Sequence, residues 1–260
     1  MKFCSLVSGS SGNAVLVSDE KTNLLIDCGL NGKRTAQSLG EIGLDAADID
    51  AILVTHEHSD HISGVGVLSR RYHIPVYANG ATWDAMACAL GRMDSDCIKI
   101  FETGHEFEIG SIGVRAFATP HDAADSVGYN LFVHGKKLSV ATDMGHIEEA
   151  VLEALSGSDM LLLEANHDVE MLKNGRYPAF LKKRILSDVG HLSNEGAGQI
   201  ALRLARCGTR AILLGHLSSE NNYPQLAYQV VGDVLKKAGF AVGGDVRLAV
   251  AQRYSVSGAF

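Results

Sequence analysis

The chain has 260 residues, 46% of them hydrophobic and 20% charged, with a formal net charge of −7. That composition excludes a disordered chain, and the acidity excludes a protein that coats nucleic acid through bulk positive charge. The length exceeds the usual domain of about 100–200 residues but suits one layered α/β unit, so a single domain over residues 1–260 is expected. The five cysteines are odd in number and form no CxxC pair, which suggests neither a disulfide framework nor a zinc ribbon. Met1 to Val7 lacks the apolar region of a signal peptide, and no stretch reaches the length of a membrane span. A soluble protein of the reducing cytoplasm is the expectation.

Taken in order, Phe3 to Val7 and Ala14 to Ser18 read as strands. The run between them, Ser8-Gly9-Ser10-Ser11-Gly12-Asn13, is built of small residues that tolerate unusual backbone angles. It is either a plain hairpin or a loop that offers backbone N–H groups and hydroxyls to an anion, with Ser10, Ser11 and Asn13 as the candidate substrate contacts. Asn23 to Asp27 is a third strand, and the carboxylate at its end suits the orienting of metal ligands better than ligation itself. A helix from about Lys33 to near Gly43 follows.

The densest chemistry comes next. Asp50 to Thr55 is a short apolar strand, after which His56, His58, Asp60 and His61 place three imidazoles and a carboxylate within six residues. On an extended or turning segment His56 and His58 point the same way while Asp60 and His61 fall past the bend, so one loop can feed two adjacent cations. Gly64 with Val65, Val67 and Leu68 predicts a helix packing back on the strand.

Downstream, Pro75 to Ala78, Ile98 to Phe101 and Ile112 to Ala118 read as strands, with a helix from Thr82 to Leu90. His73 and His105 read as surface or packing residues, whereas His121, at a strand exit, can converge with the first loop in a layered fold. Val127 to His134 and Lys137 to Thr142 form a hairpin around Gly135 that ends at Asp143, a carboxylate placed either to cap a helix near Ile147 or to bridge two cations. His134 and His146 read as rim residues. Asp159 to Leu163 is a buried strand with Glu164-Ala165-Asn166-His167 at its exit, and Tyr177 to Val189 is a basic amphipathic segment. Its triplet Lys182, Lys183 and Arg184 is either a solvated face or a phosphate-steering patch. Gly190-His191-Leu192-Ser193-Asn194 precedes a helix capped by Ser193 or Asn194. Arg210 to Gly215 is a strand that leads into His216, Leu226 to Ala238 a closing helix, and Val246 to Val250 and Tyr254 to Val256 late edge strands.

The segment Thr55-His56-Glu57-His58-Ser59-Asp60-His61 resembles the HxHxDH signature of the metallo-β-lactamase superfold, whose members are mostly hydrolases carrying one or two metal ions. Together with the loop ending at Asn13, Glu164-Ala165-Asn166-His167 and Gly190 to Asn194, it is most similar to the WalJ/YycJ group of bacterial nucleases, relatives of RNase Z and RNase J. That resemblance implies an α/β fold in a four-layer αββα sandwich. It implies two divalent metal ions, zinc or manganese, with His56, His58 and His121 on one, Asp60, His61 and His216 on the other, and Asp143 bridging. It implies hydrolysis of a nucleic-acid substrate by a metal-bridging hydroxide that Asp60 helps to orient, as a 5′-to-3′ exonuclease on DNA rather than RNA.

Glu164 and His191 are expected to form a proton-donating pair, because a phosphodiester expels an alkoxide, a poor leaving group. Asn166, His167 and Asn194 would then line the substrate side. The rival readings are a glyoxalase II-like thioesterase, whose thiolate leaving group has little need of a proton donor, and an RNA-processing nuclease of the same superfold. From Asp143 to His216 there are too few residues for the large inserted domain of RNase J.

Overall fold

The computed structural model describes residues 1–257. Strands β1 (Lys2–Val7), β2 (Ala14–Ser18), β3 (Asn23–Ile26), β4 (Ala51–Leu53), β5 (Val76–Asn79) and β6 (Ile98–Phe101) lie in one sheet in that order. Strands β7 (Glu106–Ile109), β8 (Ile112–Ala118), β9 (Val127–Val133), β10 (Lys136–Ala141), β11 (Met160–Glu164), β12 (Ala211–Gly215) and β13 (Arg247–Val250) form the second, again in sequential order. Each sheet is antiparallel at one end and parallel at the other, the parallel parts being β3 to β6 and β10 to β13. Parallel neighbours require crossovers, and helices supply them.

The first set of helices is α1 (Gly32–Glu41), the single turn α2 (Ser59–Ile62), α3 (Val65–Tyr72) and α4 (Gly80–Leu90). The second is α5 (Glu149–Leu155), α6 (Val169–Asn174), α7 (Ala179–Ile185), α8 (Asn194–Arg206) and α9 (Pro224–Lys237). Because successive strand residues face opposite sides, Val15, Val17, Leu24 and Ile26 enter a core shared with Val114, Tyr129, Leu131 and Leu162 of the second sheet, while Leu16 and Leu25 face the opposite way. Leu16 and Leu25 pack with Leu39, Leu68 and Met86 of α1, α3 and α4. On the far side, Leu161, Leu163, Ile212 and Leu214 meet Leu152, Ile200, Leu204 and Val231 of α5, α8 and α9. Three cores between four layers make the αββα sandwich, and burial on both faces explains why these strands read as continuous apolar runs. Truncating a fully buried residue such as Leu53 to Ala would cost about 2–5 kcal/mol.

Three expectations from sequence differ. Tyr254 to Val256 is not a strand; the tail is held instead by Ser257 N–H donating to the Ser5 carbonyl at 2.8 Å, so backbone pairing stops short of a ladder. The basic segment is helical only over Ala179–Ile185, and the six-residue α6 that precedes it was too short to show a period. Asp143 caps no helix, since the N-cap of α5 is Glu148.

The parallel strands place their carboxyl ends at one edge of the sandwich. In register, Ala141 pairs with Leu163, Leu163 with Leu214, and Glu164 with Gly215, so Asp143, Glu164 and His216 leave three adjacent strands at nearly the same level. Asp27 and His56 leave the first sheet beside them, and the two sheets are tied there by the buried Tyr129 hydroxyl donating to the Val54 carbonyl at 2.6 Å. Strand carboxyl ends are where open α/β sheets build sites.

Candidate active site

Asp27, Asp143 and His216 all have left-handed backbone, with φ of 59°, 59° and 54°. Side chains other than glycine rarely adopt it, at a cost of about 1–3 kcal/mol each. Here it turns Asp143 and His216 from strand direction into the groove and Asp27 beneath it, onto Thr55 and His61. Asp60 and His61 arrive on α2, which is stitched to its surroundings by Asn13 N–H to the Asp60 carbonyl and Cys28 N–H to the His61 carbonyl, both at 2.8 Å. Gly29 makes this approach possible, because a Cβ there would stand 1.6 Å from the Asp60 carbonyl oxygen.

His56, His58 and His121 bring one ring nitrogen each to within 4.8 Å of one another, and an Asp60 carboxylate oxygen meets one ring nitrogen each of His61 and His216 within the same span. Asp143 lies between the sets, 3.3 Å from His61 Nε2, 3.4 Å from His216 Nδ1 and 3.7 Å from His121 Nε2. Four of these five rings are anchored through Nδ1. His61 Nδ1 donates to Asp27 Oδ2 at 2.8 Å, His121 Nδ1 to the Gly190 carbonyl at 3.0 Å, and His216 Nδ1 to Glu164 Oε1 at 2.9 Å. His56 Nδ1 meets the Thr55 hydroxyl at 3.0 Å, and that hydroxyl donates to Asp27 at 2.9 Å. Each bond fixes a tautomer, so the remaining nitrogens point lone pairs at one another and at carboxylates.

Such an arrangement is repulsive unless a cation or extra protons lie between. His56 Nε2 and Asp143 Oδ2 are buried without a hydrogen-bond partner, as expected of atoms that await a metal. Imidazole and carboxylate donors suit a divalent ion. With protein charges alone, burial and neighbouring imidazoles hold His56 well below its usual range. Burial would also lower His61, but Asp27 and Asp143 reverse this and hold it well above. The same burial would raise Asp143, yet His216 and His61 keep it well below the carboxylate range.

Glu164, fully buried, accepts from His191 Nδ1 at 2.8 Å as well as from His216, and Met144 N–H donates to its other oxygen at 2.8 Å. Burial would raise this carboxyl, but the His191 charge and the bonds from His191 and His216 take it down to about 2. His191 Nε2 has no hydrogen-bond partner among the described residues, and the ring lines a groove with Ser10, His58, Asp60, Asp143, Arg184 and His216.

The remaining candidates divide. Ser10 lines the groove and Ser11 is exposed beside it, whereas Asn13 is turned inward, its Nδ2 3.4 Å from Asp60 Oδ2 and 3.1 Å from His61 Nε2. Asn166, His167 and Asn194, expected on the substrate side, lie beneath the site with their side chains closed to solvent. Asn166 Nδ2 donates to the His216 carbonyl at 2.9 Å, and Asn194 is bonded to Asn222. His167 has both ring nitrogens unpartnered, and burial takes it down to about 4. Of the basic triplet, Lys182 Nζ is spent on the Lys173 carbonyl at 2.7 Å, and Arg184 reaches the groove. Arg184 forks onto Asp122, with Nη2 to Oδ1 at 2.9 Å and Nε to Oδ2. Sequence reasoning passed over Asp122, whose only signal was its place directly after His121. His73, His105, His134 and His146 are exposed, at 40–73% of the side chain.

A layered fold with a histidine and carboxylate cluster at the strand ends defines a metallohydrolase class. Residues 22–217 match the family described as the Beta-lactamase superfamily domain. The chain is 43% identical over 243 residues to exodeoxyribonuclease YycJ of Bacillus anthracis, covering 94% of this chain and 92% of that one. It is 43% identical to exodeoxyribonuclease WalJ of Streptococcus pneumoniae, covering 95% and 93%. Among solved structures, the metallo-β-lactamase fold protein YhfI of Bacillus subtilis superimposes with a TM-score of 0.75 at 17% identity, covering 98% of each chain. The chain therefore belongs to the β-lactamase superfamily, in the group of YycJ and WalJ.

Proposed function

We propose that this protein is a metal-dependent nuclease that hydrolyses DNA from the 5′ end, in the reducing cytoplasm that its five free thiols suit. The observation that carries the reading is His191, whose Nδ1 is held by Glu164 and whose ring lies on the groove wall beside the histidine–carboxylate cluster. The 43% identity to two exodeoxyribonucleases over more than nine-tenths of the chain supports DNA as substrate.

His56, His58 and His121 would hold one ion, Asp60, His61 and His216 a second, and Asp143 both; mixed donors of this kind take zinc or manganese. Bound there, such ions polarise a phosphoryl oxygen and lower the pKa of a water. Asp60, partly open to the groove, is placed to orient the attacking water, and Asn13 steadies its carboxylate. His191 gives its Nε2 proton to the departing alkoxide, while Glu164 keeps the ring oriented through Nδ1. A thioester needs no such donor, which sets the glyoxalase II-like reading second.

The test is digestion of DNA and RNA labelled at either end, with metal content measured on the same preparation and a glutathione thioester as control. Stepwise loss of 5′ label from DNA is expected. Efficient thioester cleavage without nucleic-acid turnover would overturn the reading, and preferential RNA cleavage would move it to the RNA-processing branch.

A further inference from the structure

Helix α7 sends Arg184 to the groove and carries a side chain that no part of the site uses. Phe180 is 75% exposed, and Leu186 and Val189 further along the same stretch are each 44% exposed. A lone exposed apolar residue is ordinary, but a phenyl ring presented to solvent on the helix that sends Arg184 into a polar groove is not needed for packing. On a helix, residues three and four apart share a face, so Phe180 stands with Lys183 and Arg184. Lys182 faces away toward α6. Lys183 is exposed with no partner among the described residues, and Arg184 has its Nη1 unused beyond the fork to Asp122.

The helix is fastened to the site. Asp122 N–H donates to the Val189 carbonyl, His121 Nδ1 to the Gly190 carbonyl and His191 N–H to the Ile185 carbonyl, all at 3.0 Å. Gly190 has no room for a Cβ, which would lie 2.2 Å from the Arg184 carbonyl oxygen. The backbone that carries Phe180 is thus held, its Cα about 6 Å along the helix axis from that of Arg184, whose side chain lines the groove.

We infer that α7 is a platform for single-stranded nucleic acid, on which Phe180 stacks with an unpaired base next to the scissile phosphate while Lys183 and Arg184 hold flanking phosphates. The inference rests on the nuclease reading and adds to it the form of the substrate. A π-face beside two cations is the pattern that binds single strands without reading sequence, because every base has a face to stack. A paired base inside a duplex offers no such face, so a duplex would engage only through a frayed end.

The test is fluorescence anisotropy of the metal-loaded protein with a labelled oligothymidylate whose phosphorothioate linkages resist hydrolysis, and with an abasic strand of the same length. F180A should bind the base-bearing strand about tenfold more weakly than wild type, F180W should restore binding, and all three should bind the abasic strand alike. Equal binding of wild type and F180A to the base-bearing strand would overturn the platform, as would an equal loss on both strands. A wild-type protein that cleaves neither DNA nor RNA would instead remove the nuclease reading, a result separable from a nuclease indifferent to F180A.

Discussion

Asp27 Oδ2 lies 2.8 Å from His61 Nδ1 and accepts its proton, which settles that His61 presents Nε2 to the cluster. Asp27 also accepts from the Thr55 backbone N–H and hydroxyl, so one buried carboxylate orients the first loop from below. Removing such a partner typically costs about 10–100-fold in metal affinity. Asp27→Ala should therefore weaken metal binding by that order in a chelator competition, most at the proposed site of Asp60, His61 and His216. Unchanged affinity would mean that His61 is held by packing alone.

Glu164 and His191 predict a leaving-group signature. His191→Ala should keep its metal and lose about 10²–10⁴-fold in turnover on an oligonucleotide, but far less on a nitrophenyl phosphodiester, whose leaving group departs unprotonated. Glu164→Gln should follow the same pattern more weakly, with some loss of metal because Glu164 also holds His216. Loss of both metals in His191→Ala would make His191 a ligand.

Metal analysis of His58→Ala and Asp143→Ala checks the ligand assignment directly. His58→Ala should retain about one ion, since the Asp60, His61 and His216 set is untouched, and Asp143→Ala should weaken both because its carboxylate lies between the sets. Two ions and full activity in either variant would refute it.

Gly29→Ala tests the backbone that delivers Asp60. The added methyl would overlap the Asp60 carbonyl and approach Asn13 N to 2.6 Å, so α2 must move. A destabilisation of about 1–3 kcal/mol in denaturant unfolding is expected, together with lowered metal affinity.

Asp19, away from the groove, sets a pH dependence of stability. The Ser111 hydroxyl at 2.6 Å, with Lys21 and Thr22 N–H at 2.8 Å, takes its carboxyl from 3.8 down to about 2. The folded value is below the unfolded one, so the contribution is complete above about pH 4 and is lost as pH falls toward about 2. The stability gap between wild type and Asp19→Asn should narrow as pH falls from about 4 to about 2 in denaturant titrations; a gap independent of pH would assign the effect to packing.

What could be read from sequence was whatever is local. His56, His58, Asp60 and His61 announce a metal loop because four donors fall within six residues, and the apolar runs at Leu24 to Ile26 and Leu161 to Leu163 announce buried strands because both faces are apolar. Periodicity reports which way a side chain faces within its own element and says nothing of what lies over a strand's end. The meeting of His121, Asp143 and His216 with that loop depends on the order of β10, β11 and β12 and on two sheets closing face to face, and Asp27, Asp143 and His216 enter only through left-handed backbone. For the same reason Asn166, His167 and Asn194 could not be placed from their strand-exit and helix-start positions. All three are buried, with Asn222 bonded to Asn166 and Asn194, so residues that sequence alone puts at the substrate lie beneath Glu164 and His191. Likewise three consecutive cations look alike in sequence, and only the docking of α7 on α6 and Asp122 turns Lys182 away and Arg184 toward the groove.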